Sequence, residues 1–109
     1  MSSSYEFQLS MWAPQREQRT EMGDALATPR PVEHFAYFGR RRHAEAAADE
    51  LVAAGFTVGL GRRRLKTVLE ATRDEPLQDD DVARFLTDVI TIVERHGGEY
   101  DGWGATVEA

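Results

Sequence analysis

The sequence predicts an α+β fold: a four-stranded antiparallel sheet with two helices on one face and an N-terminal extension. Three observations carry this expectation. Val32 to Phe38, reading VEHFAYF, alternates two sets that both hold large apolar or aromatic groups, as a strand in the middle of a sheet does. Two later stretches place apolar residues at the helical period,. Between them lie two alternating segments whose connection is too short for a crossover, so they form an antiparallel hairpin.

Taken in order, Tyr5, Phe7, Leu9 and Met11 alternate with Glu6, Gln8 and Ser10, which reads as a short strand. Pro14 suits the first turn of a helix to about Ala27 with a thin apolar side of Met22, Ala25 and Leu26. Pro29 and Pro31 stiffen the approach to the Val32 to Phe38 strand, and Gly39 with three arginines ends it. A helix follows from about Arg41 to Ala54, with Ala44, Ala47, Ala48, Leu51 and Val52 inward and Gly55 as its stop. Phe56, Val58 and Leu60 form an edge strand, Gly61 to Arg64 turns the chain, and Leu65, Thr67, Leu69 and Ala71 face the core from the partner strand. Asp79, Asp80 and Asp81 favour the start of a helix whose inner positions are Val82, Phe85, Leu86, Val89, Ile90 and Val93. Gly97 and Gly98 stop it. The last strand, Glu99 to Val107, is expected to put Trp103, Ala105 and Val107 on one side and Tyr100, Gly102, Gly104 and Thr106 on the other.

The order β, α, β, β, α, β is that of the split βαβ, or ferredoxin-like, arrangement. Right-handed crossovers place its first and third strands centrally. Residues 30–109 form this domain and residues 1–29 the extension. Both helices cover one face, so Phe35 and Tyr37 on the other need a cover: the N-terminal segment with Trp12, a second subunit making a homodimer, or a ligand.

Composition narrows function. The 109 residues contain no cysteine, which removes disulfides, thiolate catalysis, iron–sulfur clusters and the usual zinc sites. The net charge of −6 argues against non-specific binding to nucleic acid or a membrane surface. No apolar run is long enough to span a bilayer, and the first ten residues lack the pattern of a secretory signal, so a cytoplasmic location is expected.

Chemical constellations are sparse. His34, His43 and His96 lie on different elements without companions at metal-ligand spacing. Gly59-Leu60-Gly61 lacks the third glycine of a dinucleotide loop and reads as a hairpin turn. Glu99 and Asp101 lack a nucleophile or metal beside them. No cofactor and no catalysis are expected. RNA stacking on Phe35 and Tyr37 lacks aromatic partners on the other middle strand, which offers Lys66, Val68 and Glu70. An RNA-binding domain using a basic end of the sheet remains the alternative to a protein-binding regulator.

That basic end follows from topology. The first strand-to-helix turn and the hairpin emerge at one end of the sheet, bringing Arg40, Arg41 and Arg42 to Arg62, Arg63, Arg64 and Lys66. These are seven of the thirteen Lys and Arg residues. The other end receives Asp74, Glu75, Asp79, Asp80 and Asp81, so strong charge separation along the strands is expected, and the seven cations are the candidate partner-binding group.

HGGEYDGWGA, His96 to Ala105, with PRPVEHFAYF upstream and Gly55-Phe56 between, resembles the family of regulators of ribonuclease E activity B. The likeness spans roughly Met22 to Val107, and Tyr100-Asp101-Gly102-Trp103 is its most specific element, with Val32, Glu33 and His34 as the upstream part. The resemblance implies a ferredoxin-like α+β domain that binds ribonuclease E or a related ribonuclease and alters which transcripts are cut, with no catalysis of its own.

Overall fold

Alternation in β1 (Arg30–Phe38) places Arg30, Val32, His34, Ala36 and Phe38 in the interior, while Phe35 and Tyr37 on the opposite face are only half-buried. The computed structural model describes residues 2–109, in which β1 is preceded by α1 (Ser3–Ser10) and α2 (Trp12–Glu21). It is followed by α3 (Arg41–Ala53), β2 (Thr57–Arg63), β3 (Lys66–Glu75), α4 (Asp79–Arg95) and β4 (Glu99–Ala105). The sheet is antiparallel in the order β2-β3-β1-β4, with the first and third strands central. One core joins Val32, Phe38, Leu51, Leu69, Phe85 and Val89 between the sheet and α3 and α4.

Glycines end all three long helices by the same device. Gly23, Gly55 and Gly97 have φ of 82°, 96° and 75°. In each case the next residue donates back to a carbonyl five positions earlier: Asp24 to Arg19, Phe56 to Leu51 and Gly98 to Val93,. Gly98 has a second role, because a Cβ there would overlap the Phe38 ring.

The structure corrects four expectations. Tyr5 to Met11 is helical, not extended. Ser2 Oγ caps it by accepting from the Tyr5 N–H at 3.2 Å, and the inward residues are Tyr5, Leu9 and Trp12, spaced by four and three, while Phe7 and Met11 are exposed,. The next helix stops at Glu21 rather than near Ala27, since Gly23 supplies the left-handed turn; Met22 is exposed. The hairpin turn is Arg64-Leu65, with Arg64 at φ 57°, so Gly59 and Gly61 are strand residues and Leu65 stands out at 86% exposure.

The fourth correction concerns β4. Phe35 pairs with Gly102 but Ala36 pairs with Tyr100, leaving Asp101 as the extra residue of a β-bulge,. Gly102 adopts φ 151° there. The bulge resets the alternation, so Tyr100 and Trp103 both face the helix layer instead of opposite sides. Trp103 packs 5.0 Å from the Phe85 ring and 5.8 Å from Trp12.

Trp12 and Tyr5 therefore carry the N-terminal helices onto the helix side, beside α4 and β4. They do not cover Phe35 and Tyr37.

Candidate protein-binding surface

Strand register brings the predicted cations together. Phe38 pairs with Thr67 and Arg63 with Lys66, so the arginines after Phe38 and those of the hairpin flank one end of the sheet. Arg40, Arg41, Arg42, Arg62, Arg63, Arg64 and Lys66 are all exposed. Their neutralisation is slight. Arg41 lies 3.6 Å from Glu45 and Lys66 lies 3.8 Å from Glu99, both exposed pairs of small worth,. Arg63 donates to the Tyr37 hydroxyl at 3.3 Å and Arg62 to the Arg64 carbonyl at 3.2 Å. Among the described residues, Arg40, Arg42, Arg62, Arg63 and Arg64 have no carboxylate within 4.0 Å. Five forked donors are thus free for carboxylates or phosphates from outside.

At the opposite end the acidic residues are partly neutralised within the chain. Glu75 is buried, held by Arg73 at 2.6 Å and Arg84 at 3.4 Å. Arg84 also bonds Asp81 at 2.9 Å, and its pKa is raised chiefly by that hydrogen bond. Asp79 accepts from Arg16 at 2.7 Å and from the Trp12 indole at 2.9 Å, which lowers its pKa. Asp74 and Asp80 stay exposed.

A buried polar cluster lies deeper at this end. Asp24, placed by the glycine turn after α2, bonds Arg30 at 2.7 Å and Arg19 at 3.2 Å through Oδ2. Arg30 also donates to the carbonyls of Ala25, Thr28 and Thr106, and Arg19 to those of Ala105 and Thr106. Burial alone would raise the Asp24 carboxyl, yet the hydrogen bonds and charges of Arg30 and Arg19 outweigh it and hold the group below the ordinary value,. No carboxylate of this kind was foreseen. The available signal was parity, since Arg30 belongs to the same alternating set as Val32 and His34.

The family-motif residues divide by face. Val32 and His34 are interior and Glu33 is exposed on the open face. His34 Nδ1 lies 2.7 Å from the Tyr100 hydroxyl, and its ring stands edge-on to Phe56 and Phe85. Burial first, and the nearby Arg73 charge second, lower its pKa to about 3, so the imidazole is neutral. Burial likewise raises that of Tyr100. His34 Nε2 meets no hydrogen-bond partner among the described residues, and at 1% exposure the ring cannot reach a substrate. In Tyr100-Asp101-Gly102-Trp103 two rings thus point inward around one bulge. His43 is exposed, and His96 bonds Glu50 at 2.9 Å, which is the first cause of the lowered Glu50 pKa. Among the described residues no three His, Asp or Glu side chains cluster as a metal site, and no helix is long and apolar enough to cross a membrane.

On the open face, Phe35 and Tyr37 border a shallow groove of about 510 Å³ with Gly59, Gly61, Val68 and Arg63. Gly59 and Gly61 were read as turn residues, so their place on this face was not foreseen.

The chain is a small α+β fold with His34 sealed inside its central strand and exposed cations gathered at one end of the sheet. The chain belongs to the family described as Regulator of ribonuclease activity B, which matches residues 16–105. No curated protein matches it.

Proposed function

We propose that the chain is a non-catalytic regulator that acts by binding a ribonuclease, ribonuclease E or a related enzyme, in the cytoplasm, and so modulates RNA degradation. Membership of the ribonuclease regulator family over residues 16–105 carries this reading. The central placement of β1 and β3 supports a ferredoxin-like description of residues 30–109, with residues 1–29 as an extension. The working surface is the basic end, where free guanidinium groups present forked donors to carboxylates of a partner.

The test is co-purification from the native cell with and without nuclease treatment, followed by binding of the recovered ribonuclease to purified protein. A ribonuclease that stays bound after treatment, and whose affinity falls at least tenfold on Arg41→Glu with Arg63→Glu and with rising salt, supports the reading. Binding lost on nuclease treatment assigns the basic end to RNA instead. Turnover of RNA by metal-free protein defeats the non-catalytic reading.

A further inference from the structure

We infer that the free edge of β2 takes an extended segment of a protein partner as a fifth strand, with carboxylates of that segment at the hairpin end. The sheet has two edges, and the chain closes only one. Along β4, Arg19 occupies the carbonyls of Ala105 and Thr106, the Ala25 N–H donates to that of Glu108, and Trp12 lies 5.8 Å from Trp103. At β2 nothing comparable is found: among the described residues, no hydrogen bond beyond the β3 ladder engages the backbone of Thr57–Arg63. Every second residue of an edge strand turns its N–H and C=O outward, so β2 presents a row of unused donors and acceptors. Bare edges are ordinarily blunted by proline, a bulge or charge. Thr57 to Gly61 has none of these, and its register with β3 is unbroken.

The side chains beside that edge describe the segment it fits. Val58 and Leu60 face the helix layer and are only half-buried. α3 packs on β2 and β3, and its Glu50 reaches across to Arg95 and His96 at the end of α4. Val52 stands about 200° round the helix from Glu50, so it overhangs the β2 edge, at 57% exposure. Glu45, two turns earlier on the same flank, is engaged by Arg41 at 3.6 Å. Val52, Val58 and Leu60 thus form an apolar shelf for every second residue of an added strand. On the other face Gly59 and Gly61 leave the alternate residues unobstructed, since a Cβ at either would meet nothing within 4 Å. Charge is confined to one end, where Arg62 and Arg63 point to opposite faces with no carboxylate within 4.0 Å among the described residues. A carboxylate on either face of the segment therefore meets a free guanidinium. A second copy paired β2 to β2 along its whole length would set these arginines against each other or against Thr57 and Val58, neither of which is charged. The edge suits a different chain, one that is acidic at this end and apolar at alternate positions. That the partner is the ribonuclease rests on the reading above; the mode of pairing does not.

The test is amide hydrogen exchange of the full chain, read by NMR. The probes are the peptide Glu-Glu-Val-Thr-Val-Thr-Val, the same sequence reversed, and versions of both with lysine in place of glutamate. In the free chain every second amide of Thr57–Arg63 should exchange freely. One of the two acidic peptides should slow these amides at least tenfold, and the lysine peptides should not. Val52→Lys, and Arg62→Glu with Arg63→Glu, should each raise the dissociation constant of that acidic peptide at least fivefold while keeping the thermal midpoint. Purified ribonuclease, once bound, should protect the same amides. Outward amides already slow in dilute free chain, no protection by either acidic peptide, lysine peptides that bind equally, or effects centred on Phe35 and Tyr37 overturn the inference. So does protection that appears on concentrating the chain alone, which would give the edge to a second copy. A ribonuclease that binds without slowing these amides overturns the strand pairing and leaves the ribonuclease reading intact. A ribonuclease that fails to bind while the acidic peptide does removes that reading and leaves the strand pairing in place.

Discussion

Arginine does two opposite jobs at the two ends of this sheet. At one end Arg19 and Arg30 are buried around Asp24, every guanidinium turned to carboxylate or carbonyl oxygens of the same chain. At the other, Arg40, Arg42 and the hairpin arginines stand exposed with no carboxylate in reach among the described residues. The difference teaches that basic residues here cannot be weighed by count. A guanidinium already saturated by the chain supports the fold, and only an unsaturated one has donors to offer a partner.

The sharpest way to break this comparison is Asp24→Ala. It leaves two buried cations facing each other, and stability measured by urea unfolding should fall by about 3–5 kcal/mol. A loss below 1 kcal/mol would mean that the cluster is solvated in solution. Next in size is His34. Folded, it binds a proton only near pH 3, whereas unfolded it does so near 6.5. Stability is therefore full above about pH 6.5 and declines as the pH falls toward 3, by up to about 1.4 kcal/mol per unit. The lowered Asp24 carboxyl adds a further loss at the acid end, from its ordinary value downward. His34→Gln, which retains a partner for Tyr100, should flatten the slope between pH 6.5 and 5; an unchanged slope would place its origin elsewhere.

Gly98→Ala should cost about 1–3 kcal/mol, because the added methyl must displace the buried Phe38 ring,. Thermal unfolding reads this directly, and an unshifted midpoint would show that the ring has room. The smallest effect belongs to the exposed arginines. Arg41→Glu with Arg63→Glu should change stability by no more than about 0.5 kcal/mol per site, since only an exposed contact to Glu45 and one bond to Tyr37 are lost. A larger loss would move these residues from the partner-facing class to the structural one.

Long-range arrangement was largely legible in the sequence where periods were unambiguous. The apolar spacing of α4 and the two-sided alternation of β1 specified which strand is central, and with it the meeting of two arginine runs far apart in sequence. Short segments misled. Tyr5 and Leu9 fit period two and period four equally, and only their packing with Trp12 decides. At Asp101 a single extra residue inverts the parity of everything before it, which no alternation can reveal without the partner strand. The glycines of β2 looked like a turn because glycine is what turns use; that they border an open face emerges only from the register.

The buried arginines also impose an order of events on the chain. Arg19 is made 86 residues before Ala105 and Arg30 76 residues before Thr106, yet these are the carbonyls they need. Ala25 is tied to Glu108 by a backbone bond of 2.6 Å across the same gap. Until residues 105–108 leave the ribosome, α2 and the turn after it have no finished dock. Residues 19–30 and 105–108 close on each other like a clasp, and removing residues 105–109 would undo the fastening of α2.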